Sequence, residues 1–256
     1  MSKLIPKKII RDQIQKNQNE RTSTFEYKGK IYWLKQKEPP SLIKSLLMKN
    51  VSKSLVKEKT VLKKLANHGI PVPDVIDFDE NYLVLSDVGD AIINIIEKKH
   101  TYYSDNHPKF HVNGNPQKEK ILTKASIALA KLHKMGYAHG RPSIKDICLK
   151  NNKIYFIDFE ENQLGKNINK QQTRDLLIFI HSLYRFFGIK NESIKKIMKT
   201  YQQNGGGKVW TRANKKMQTW IWLRYLFFFF KKSGGKDITP IYWVFNFFKS
   251  QKKIVN

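Results

Sequence analysis

The sequence is poor in acidic residues and almost lacks cysteine. Of its 256 residues, 21 are Asp or Glu and 48 are Lys or Arg, which gives a formal net charge of +27. Cys148 is the only cysteine, so a disulfide framework within the chain and a zinc site built from several cysteines are excluded. The first twenty residues lack the apolar stretch of a secretory signal peptide, and we expect a protein of the reducing cytoplasm.

The excess of positive charge indicates an anionic partner. Nucleic acid, an acidic membrane leaflet and a phosphorylated substrate are all compatible with it. A lysine-rich genome would place lysine on every surface and give the same composition. Charge alone therefore does not choose among these explanations.

The first part of the chain predicts a small sheet with a helix laid on it. Segments rich in aromatic and β-branched residues predict four strands, at 24–27, 31–36, 75–78 and 82–85. Lys28-Gly29-Lys30 separates the first two and predicts a hairpin. Helices are predicted at 41–50 and 52–67.

After Gly89 the pattern becomes mostly helical. The spacing of apolar residues predicts helices at 118–135, 171–187, 192–203, 212–232 and 240–249. A short hairpin is predicted from 147–149 and 154–157, with its turn at Asn151-Asn152. Gly205-Gly206-Gly207 is expected to be a flexible connector. We therefore predict a two-lobed α+β fold, with a basic arm at 1–22, a sheet lobe at 23–87 and a helical lobe at 88–256.

A lysine and a glutamate of the sheet lobe are placed to form an ion pair. The predicted helix 52–67 has an apolar seam at steps of three and four residues, and Glu58 occupies one position of that seam. A carboxylate there is costly without a partner. Lys35 lies on a neighbouring strand, on the same face as Trp33. A strand lysine paired with a helix glutamate holds the ATP phosphates in kinases. The alternative is that both side chains are exposed on different faces.

A second group of residues has the order of a kinase catalytic loop followed by a metal loop. Counted from His139 in the pattern H-R-D-x-x-x-x-N, the metal-binding position falls on Asp146. Asp158 follows an apolar strand, where kinases have D-F-G. Carboxylate oxygens are hard ligands that suit Mg²⁺. We therefore predict Asp146 and Asp158 as metal ligands and His139 as a residue that positions the loop. The alternatives are a surface loop residue and a turn aspartate.

These motifs resemble those of the lipopolysaccharide kinases of Gram-negative bacteria, the Kdo and heptose kinase group of the protein-kinase-like superfamily. The resemblance extends from about Thr24 to Phe187. Besides Glu58, it rests on Trp33-Leu34-Lys35, Gly69-Ile70-Pro71-Val72-Pro73, Tyr82-Leu83-Val84-Leu85-Ser86-Asp87, His139-Gly140 and Ile157-Asp158-Phe159-Glu160. It implies phosphorylation of a hydroxyl on a membrane-anchored glycolipid, with ATP and Mg²⁺. It also implies a hinge at Leu85 and Asp87 that contacts adenine, and a buried brace at Arg174-Asp175 under the catalytic loop.

The sequence departs from the kinase pattern at three points, one of which is Glu160 in place of the final glycine of D-F-G. No G-x-G-x-x-G motif precedes Lys35, where only Gly29 is present. The backbone N–H groups of such a loop are therefore missing, and other groups must contact the phosphates. Arg141 occupies the position of the catalytic aspartate, and arginine cannot accept a proton at physiological pH. Arg141 could instead stabilise charge on a transferring phosphoryl group or hold an acidic substrate. A catalytically inactive pseudokinase scaffold is the alternative.

The C-terminal segment 208–256 combines aromatic runs with basic residues. It contains eleven Lys or Arg, one acid and four of the five tryptophans. Its apolar run 220–230 contains Arg224 and is shorter than the ~20 residues that cross a bilayer. Aromatic rings flanked by lysines favour an interfacial surface on an anionic membrane. Core helices of the helical lobe are an equally good explanation, and binding of nucleic acid is a third.

The predicted function is an ATP-dependent kinase with Mg²⁺ as cofactor. Its expected acceptor is a lipopolysaccharide core sugar or a similar anionic glycolipid, at the inner face of the bacterial inner membrane. The rival predictions are the pseudokinase scaffold and a kinase-like protein associated with nucleic acid.

Overall fold

The computed structural model describes residues 5–37, 51–97, 115–163, 165–187, 191–230 and 235–251. They form two compact units. The first comprises Met1–Gly89 together with Tyr155–Asn162, and the second comprises Asp90–Ile154 and Gln163–Asn256. The helix predicted at 41–50 lies outside the described residues. The predicted α+β class, with an antiparallel sheet followed by a mostly helical part, is confirmed.

The first unit contains a four-stranded antiparallel sheet. Its strands are β1 (Thr22–Tyr27), β2 (Lys30–Gln36), β3 (Val75–Asp79) and β4 (Tyr82–Ser86), in the order β1-β2-β4-β3. The turn between β1 and β2 consists of Lys28 and Gly29, with φ of 52° and 70°. Two positive φ values are what a two-residue type I′ hairpin turn requires, so this tight turn closes the first hairpin.

A helix that the sequence analysis did not predict packs with this sheet. Residues Lys7–Lys16 form α1, within the segment 1–22 that was expected to be a basic arm. Its Ile10 is fully buried and lies in one apolar cluster with Leu34 and Val84 of the sheet. The segment thus contributes to the core of the first unit.

The second helix of this unit, α2 (Val51–Asn67), contacts β3 and β4. Its buried side chains follow the predicted seam: Leu55, Glu58, Leu62 and Leu65 have relative exposures of 3% or less. Steps of three and four residues place them on one face of the helix. The seam therefore carries a glutamate into an apolar environment.

The second unit is built mainly from helices. They are α3 (Ile92–Glu97), α4 (Pro116–Lys134), α5 (Ile168–Phe187), α6 (Asn191–Tyr201), α7 (Gly207–Thr219), α8 (Leu223–Phe228) and α9 (Gly235–Gln251). A small sheet has the order β5 (Asp90–Ala91), β6 (Ile147–Lys150) and β7 (Lys153–Phe156), and the last two residues of β7 are counted with the first unit. The predicted turn at Asn151 and Asn152 has φ of 49° and 63° and is again of type I′.

The prediction of one helix over 212–232 was wrong. Helix α7 ends at Thr219, and α8 begins at Leu223 after a turn. Val209, Ala213 and Met217 repeat at steps of four and are buried, which gives α7 one apolar stripe. From Trp220 to Phe230 every residue except Arg224 is apolar, so one straight helix could not place all of them on a single buried face.

The predicted flexible connector at 205–207 is a packed turn. Residues Gln202–Gly206 join α6 to α7 through a kink, in which Asn204 and Gly205 have non-helical backbone angles and Gly205 has a φ of 109°. Gly206 is buried against the ring of Tyr201, and a β-carbon at this position would lie 2.1 Å from a ring carbon. Such a distance is sterically impossible without movement, so glycine is required here for close packing.

Candidate active site

Lys35 and Glu58 form a buried ion pair in the first unit. The Lys35 ammonium donates hydrogen bonds to both carboxylate oxygens of Glu58, at 2.7 and 2.9 Å. The Glu58 side chain is fully buried, and 14% of the Lys35 side chain is exposed. The pair forms because β2 directs Lys35 to the α2 side of the sheet and the seam of α2 presents Glu58 there.

The surroundings of the pair shift the pKa of both groups. Burial raises the pKa of Glu58, because it disfavours the carboxylate, and Lys35 opposes this rise without cancelling it. Burial by itself would lower the pKa of Lys35, but the charges of Glu58 and Asp158 outweigh it, so this pKa is raised. Lys35 therefore stays cationic at neutral pH, which its predicted role in phosphate binding requires.

Asp158 lies beside this pair. One of its carboxylate oxygens is 3.7 Å from the Lys35 ammonium. Its φ is 63°, in the left-handed region that residues other than glycine rarely adopt. Strained backbone of this kind is concentrated at functional sites, where the surrounding structure compensates its cost. Asp158 thus follows β7 and lies close to Lys35 because its backbone adopts this left-handed conformation.

Glu160, which replaces the glycine of D-F-G, is held by basic residues. Its carboxylate forms an ion pair with Arg21, and its backbone carbonyl accepts a hydrogen bond from the Lys57 ammonium at 2.8 Å. It also lies 3.9 Å from Lys35. Three carboxylates, those of Glu58, Asp158 and Glu160, therefore lie within 4 Å of one lysine.

The predicted hinge residues Leu85 and Asp87 lie at and just after the end of β4. Leu85 is buried, with 4% exposure, and is paired with Trp33 across the sheet. Asp87 accepts hydrogen bonds from the Trp33 indole and from the Gly89 backbone N–H, each at 3.1 Å. The Asp87 carboxylate therefore orders the chain at the end of the first unit. Contact of these residues with adenine remains a prediction.

In the second unit a buried aspartate holds the loop at His139. Asp175 of α5 accepts the backbone N–H groups of His139 and Gly140, at 2.6 and 3.0 Å. Its carboxylate also lies 3.3 Å from the His133 Nε2 atom. The expected brace is thus formed by Asp175. Arg174 is not part of the buried brace, because the helical turn places it on the exposed side of α5.

His133 extends this brace into the helices. Its Nδ1 atom lies 2.6 Å from the Tyr201 hydroxyl. Burial raises the pKa of Tyr201, so the hydroxyl keeps its proton and can donate it to Nδ1. His133 can then donate from Nε2 to Asp175. This chain of buried groups connects the end of α6 with the loop.

The loop presents the remaining predicted residues. His139 is buried, and its Nδ1 atom accepts the Arg141 backbone N–H at 3.3 Å. Arg141 is exposed. Asp146 ends a short 3₁₀ turn, and its backbone N–H bonds to the Ser143 carbonyl at 2.8 Å. His139 is therefore placed to support the loop from within.

Two predicted metal ligands come from different units, Asp158 from the first and Asp146 from the second. Over the described residues, no three or more His, Cys, Asp or Glu side chains cluster in a way that could hold a metal ion. Magnesium in kinases needs less, since one or two carboxylates act together with substrate phosphates and water. The carboxylate of each residue is of the kind that suits Mg²⁺, and the metal-ligand roles of Asp158 and Asp146 remain predictions.

A basic pocket of about 290 Å³ lies in the second unit, and the sequence analysis did not identify it. Gly140 of the loop lines it together with Lys166, Lys170 and Arg174. Gln171 shapes the wall, since its buried side chain bonds to the backbone of Gln163 and Lys166. Among the described residues, none of those that line the pocket is acidic. The three cations recur every four residues, a signal that is hard to recognise among 48 basic residues.

Comparison with known proteins agrees with this geometry. Residues 10–201 match the model of the lipopolysaccharide kinase (Kdo/WaaP) family, so the resemblance seen in the motifs is confirmed. An uncharacterized protein of Haemophilus influenzae is 34% identical over 244 residues, which cover 95% of this chain and 96% of that protein.

Two solved structures are similar at 15% identity. They are the gentamicin complex of APH(2″)-IIa, with a TM-score of 0.42 over 94% of this chain and 96% of that one, and a MAP kinase of Leishmania major, with a TM-score of 0.41 over 70% and 58%. The family match covers most of the chain, including Lys35, Glu58, Asp158 and the loop at His139. The chain belongs to the lipopolysaccharide kinase (Kdo/WaaP) family.

Proposed function

We propose that the protein is an ATP- and Mg²⁺-dependent kinase of an anionic glycolipid, such as a lipopolysaccharide core sugar, at the inner face of the bacterial inner membrane. Its family makes it a kinase-like phosphotransferase. The observation that carries the proposal is the Lys35–Glu58 ion pair with Asp158 beside it. A strand lysine, a helix glutamate and a metal-loop aspartate are the parts that hold ATP in kinases.

Each residue of this group has a role that follows from its chemistry. Lys35 binds phosphate oxygens, and Glu58 fixes the direction of the ammonium through two hydrogen bonds. Asp158 and Asp146 offer carboxylate oxygens to the metal. Bound Mg²⁺ supplies positive charge that neutralises the phosphates during transfer. Leu85 and Asp87 mark the hinge toward which the adenine end of the nucleotide lies.

The acceptor is proposed to be anionic because of the residues around the loop at His139. Gly140 lines the basic pocket, whose three cations are suited to phosphate or carboxylate groups. Arg141 follows Gly140 directly and is exposed. Since arginine binds phosphate with paired hydrogen bonds, we assign Arg141 to the transferring phosphoryl group or to the acceptor. Phosphoryl transfer depends mainly on positioning and electrostatics, so it does not require an aspartate base there.

The test is phosphate transfer by the purified chain. Labelled ATP and Mg²⁺ are incubated with lipid A precursors carrying core sugars, with free sugars and with a protein mixture. We expect label on the glycolipid, with loss of transfer on removal of Mg²⁺ or in Asp158→Asn. Asp12→Asn is the matched control, because Asp12 is an exposed aspartate on α1.

The outcomes separate the alternatives. Transfer to free sugars alone would contradict the glycolipid as acceptor. If ATP binds but no acceptor and no water receives the phosphate, the protein is a pseudokinase scaffold. If Asp158→Asn transfers as fast as the wild type, the assigned nucleotide site is wrong.

A further inference from the structure

The second unit exposes an unusual number of aromatic side chains in one short stretch. Seven exposed residues form what we call the aromatic surface: Trp220, Trp222, Tyr225, Leu226, Phe228, Phe229 and Phe230. Phe229 is 77% exposed, and α8 contains no buried residue at all. Large contiguous apolar patches on a protein surface mark sites of interaction. The stretch is therefore a surface and not part of the core.

Contacts beneath the aromatic surface hold it in place. The Phe227 ring stacks on Phe245 of α9, with ring centroids 6.0 Å apart. The Phe228 ring meets Tyr242 edge to face, also at 6.0 Å. These contacts attach α8 to α9. The rings of Trp222, Tyr225 and Phe229 stay largely exposed, at 63%, 67% and 77%.

The charge around the aromatic surface is positive. Within 208–256 there are eleven basic residues and one acid, Asp237, which forms an ion pair with Arg185 at 2.6 Å. Lys216 lies 4.8 Å from the centroid of the Trp220 ring, and the Arg224 guanidinium lies 4.7 Å from that of Tyr225. An occupant of this surface must accept apolar rings and basic side chains together.

We propose that the aromatic surface inserts into the headgroup region of an anionic lipid bilayer and docks the protein there. Tryptophan and tyrosine favour that region, and basic residues favour anionic lipid. The described residues contain no helix that is long and apolar enough to cross a bilayer. With six residues, α8 suits a position in the plane of the interface.

Charge argues against the other occupants. A second copy of this chain would bring the same basic residues against this surface, and each copy carries a net charge of +27. Nucleic acid would satisfy the charge, but neighbouring rings in one short helix point in too many directions to form one stacking face. An anionic lipid bilayer offers negative charge to the basic side chains and an apolar environment to the aromatic rings.

The test uses the full chain and vesicles of two compositions, neutral phosphatidylcholine and a mixture with anionic phosphatidylglycerol. Co-sedimentation should show binding to the anionic vesicles and release at high salt, since salt screens the cations. Trp222→Ser with Phe229→Ser should weaken binding by about tenfold or more, because two inserted rings are lost. Tyr225→Ser with Leu226→Ser is a second, independent pair. Met135→Ser, at an exposed methionine outside the segment 208–256, is the matched control.

Each outcome decides the proposal. Unchanged vesicle binding by both double variants would overturn it, as would equal binding to neutral and anionic vesicles. Absence of vesicle binding by the wild type would also overturn it, and sedimentation as a dimer or binding of RNA through these residues would then identify the other occupant.

The inference rests on the proposed function only for the location of the acceptor, since docking is measured without ATP. If docking is correct, the double variants should lose transfer to glycolipid in vesicles but keep transfer to the same acceptor dispersed in detergent. Loss of both would indicate a damaged enzyme, which circular dichroism and thermal melting would detect independently.

Discussion

Removal of Lys35 should destabilise the first unit as well as the proposed nucleotide site. The Glu58 carboxylate is fully buried, whereas the lysine retains 14% exposure. Lys35→Ala would leave that carboxylate without the two hydrogen bonds that it now accepts. Losing one partner of a buried ion pair costs about 3–5 kcal/mol, because the remaining charge is uncompensated. We expect a loss of that size in the free energy of unfolding near neutral pH.

The loss should depend on pH in a defined direction. Burial already raises the pKa of Glu58, and removing Lys35 removes the charge that opposes this rise. The folded variant therefore takes up a proton at a pH at which the unfolded chain is still ionised. Its free energy of unfolding should rise, relative to that of the wild type, as the pH falls through the raised pKa toward the unfolded value of 4.5.

The assay is urea unfolding, followed by circular dichroism, near neutral pH and at mildly acidic pH. Lys35→Met with Glu58→Leu is the control, since an apolar pair of similar size restores stability in many buried ion pairs. The double variant should recover most of the free energy of unfolding but should not bind nucleotide. A single variant within about 1 kcal/mol of the wild type, or a difference that does not change with pH, would refute this reasoning.

Three further predictions concern the second unit. Arg141→Ala should slow phosphate transfer by roughly a hundredfold, as expected for a lost transition-state contact of ~3 kcal/mol. It should leave thermal stability nearly unchanged. Transfer at the wild-type rate would show that the arginine has no catalytic role. Lys166→Ala with Lys170→Ala should raise KM for an anionic acceptor but not for ATP, whereas Lys196→Ala with Lys199→Ala, at exposed lysines of α6, should change neither constant. Gly206→Ala should cost about 1–3 kcal/mol in urea unfolding because it overpacks the Tyr201 ring, whereas Gly207→Ala, with its nearest atom at 3.7 Å, should be neutral or stabilising; equal effects would contradict the packing argument.

The sheet of the first unit could be predicted because its signals are local. Alternating apolar residues mark the strands, and the Lys28-Gly29 turn specifies its hairpin through positive φ. The Lys35–Glu58 geometry was also accessible, since a period of two on the strand and of 3.6 on the helix fixes which side chains face each other.

Other features depend on long-range contacts and could not be found in this way. Helix α1 is rich in lysine and polar residues, and its few isoleucines are recognisable as core residues only from their packing near Leu34 and Val84. The His133–Asp175 contact joins residues 42 positions apart, and no local pattern pairs them. The basic pocket likewise exists only because α5 starts beside Gly140.

The attachment of the loop to Asp175 separates the shape of the loop from its chemistry. Asp175 holds the backbone N–H groups of His139 and Gly140, and neither bond involves the side chain at position 141. Evolution can therefore exchange the residue at 141, even from an acid to a base, without rebuilding the loop around it. Proteins with this architecture can therefore change the charge at position 141, and with it the acceptors they bind, by single substitutions, because such substitutions have little effect on folding stability.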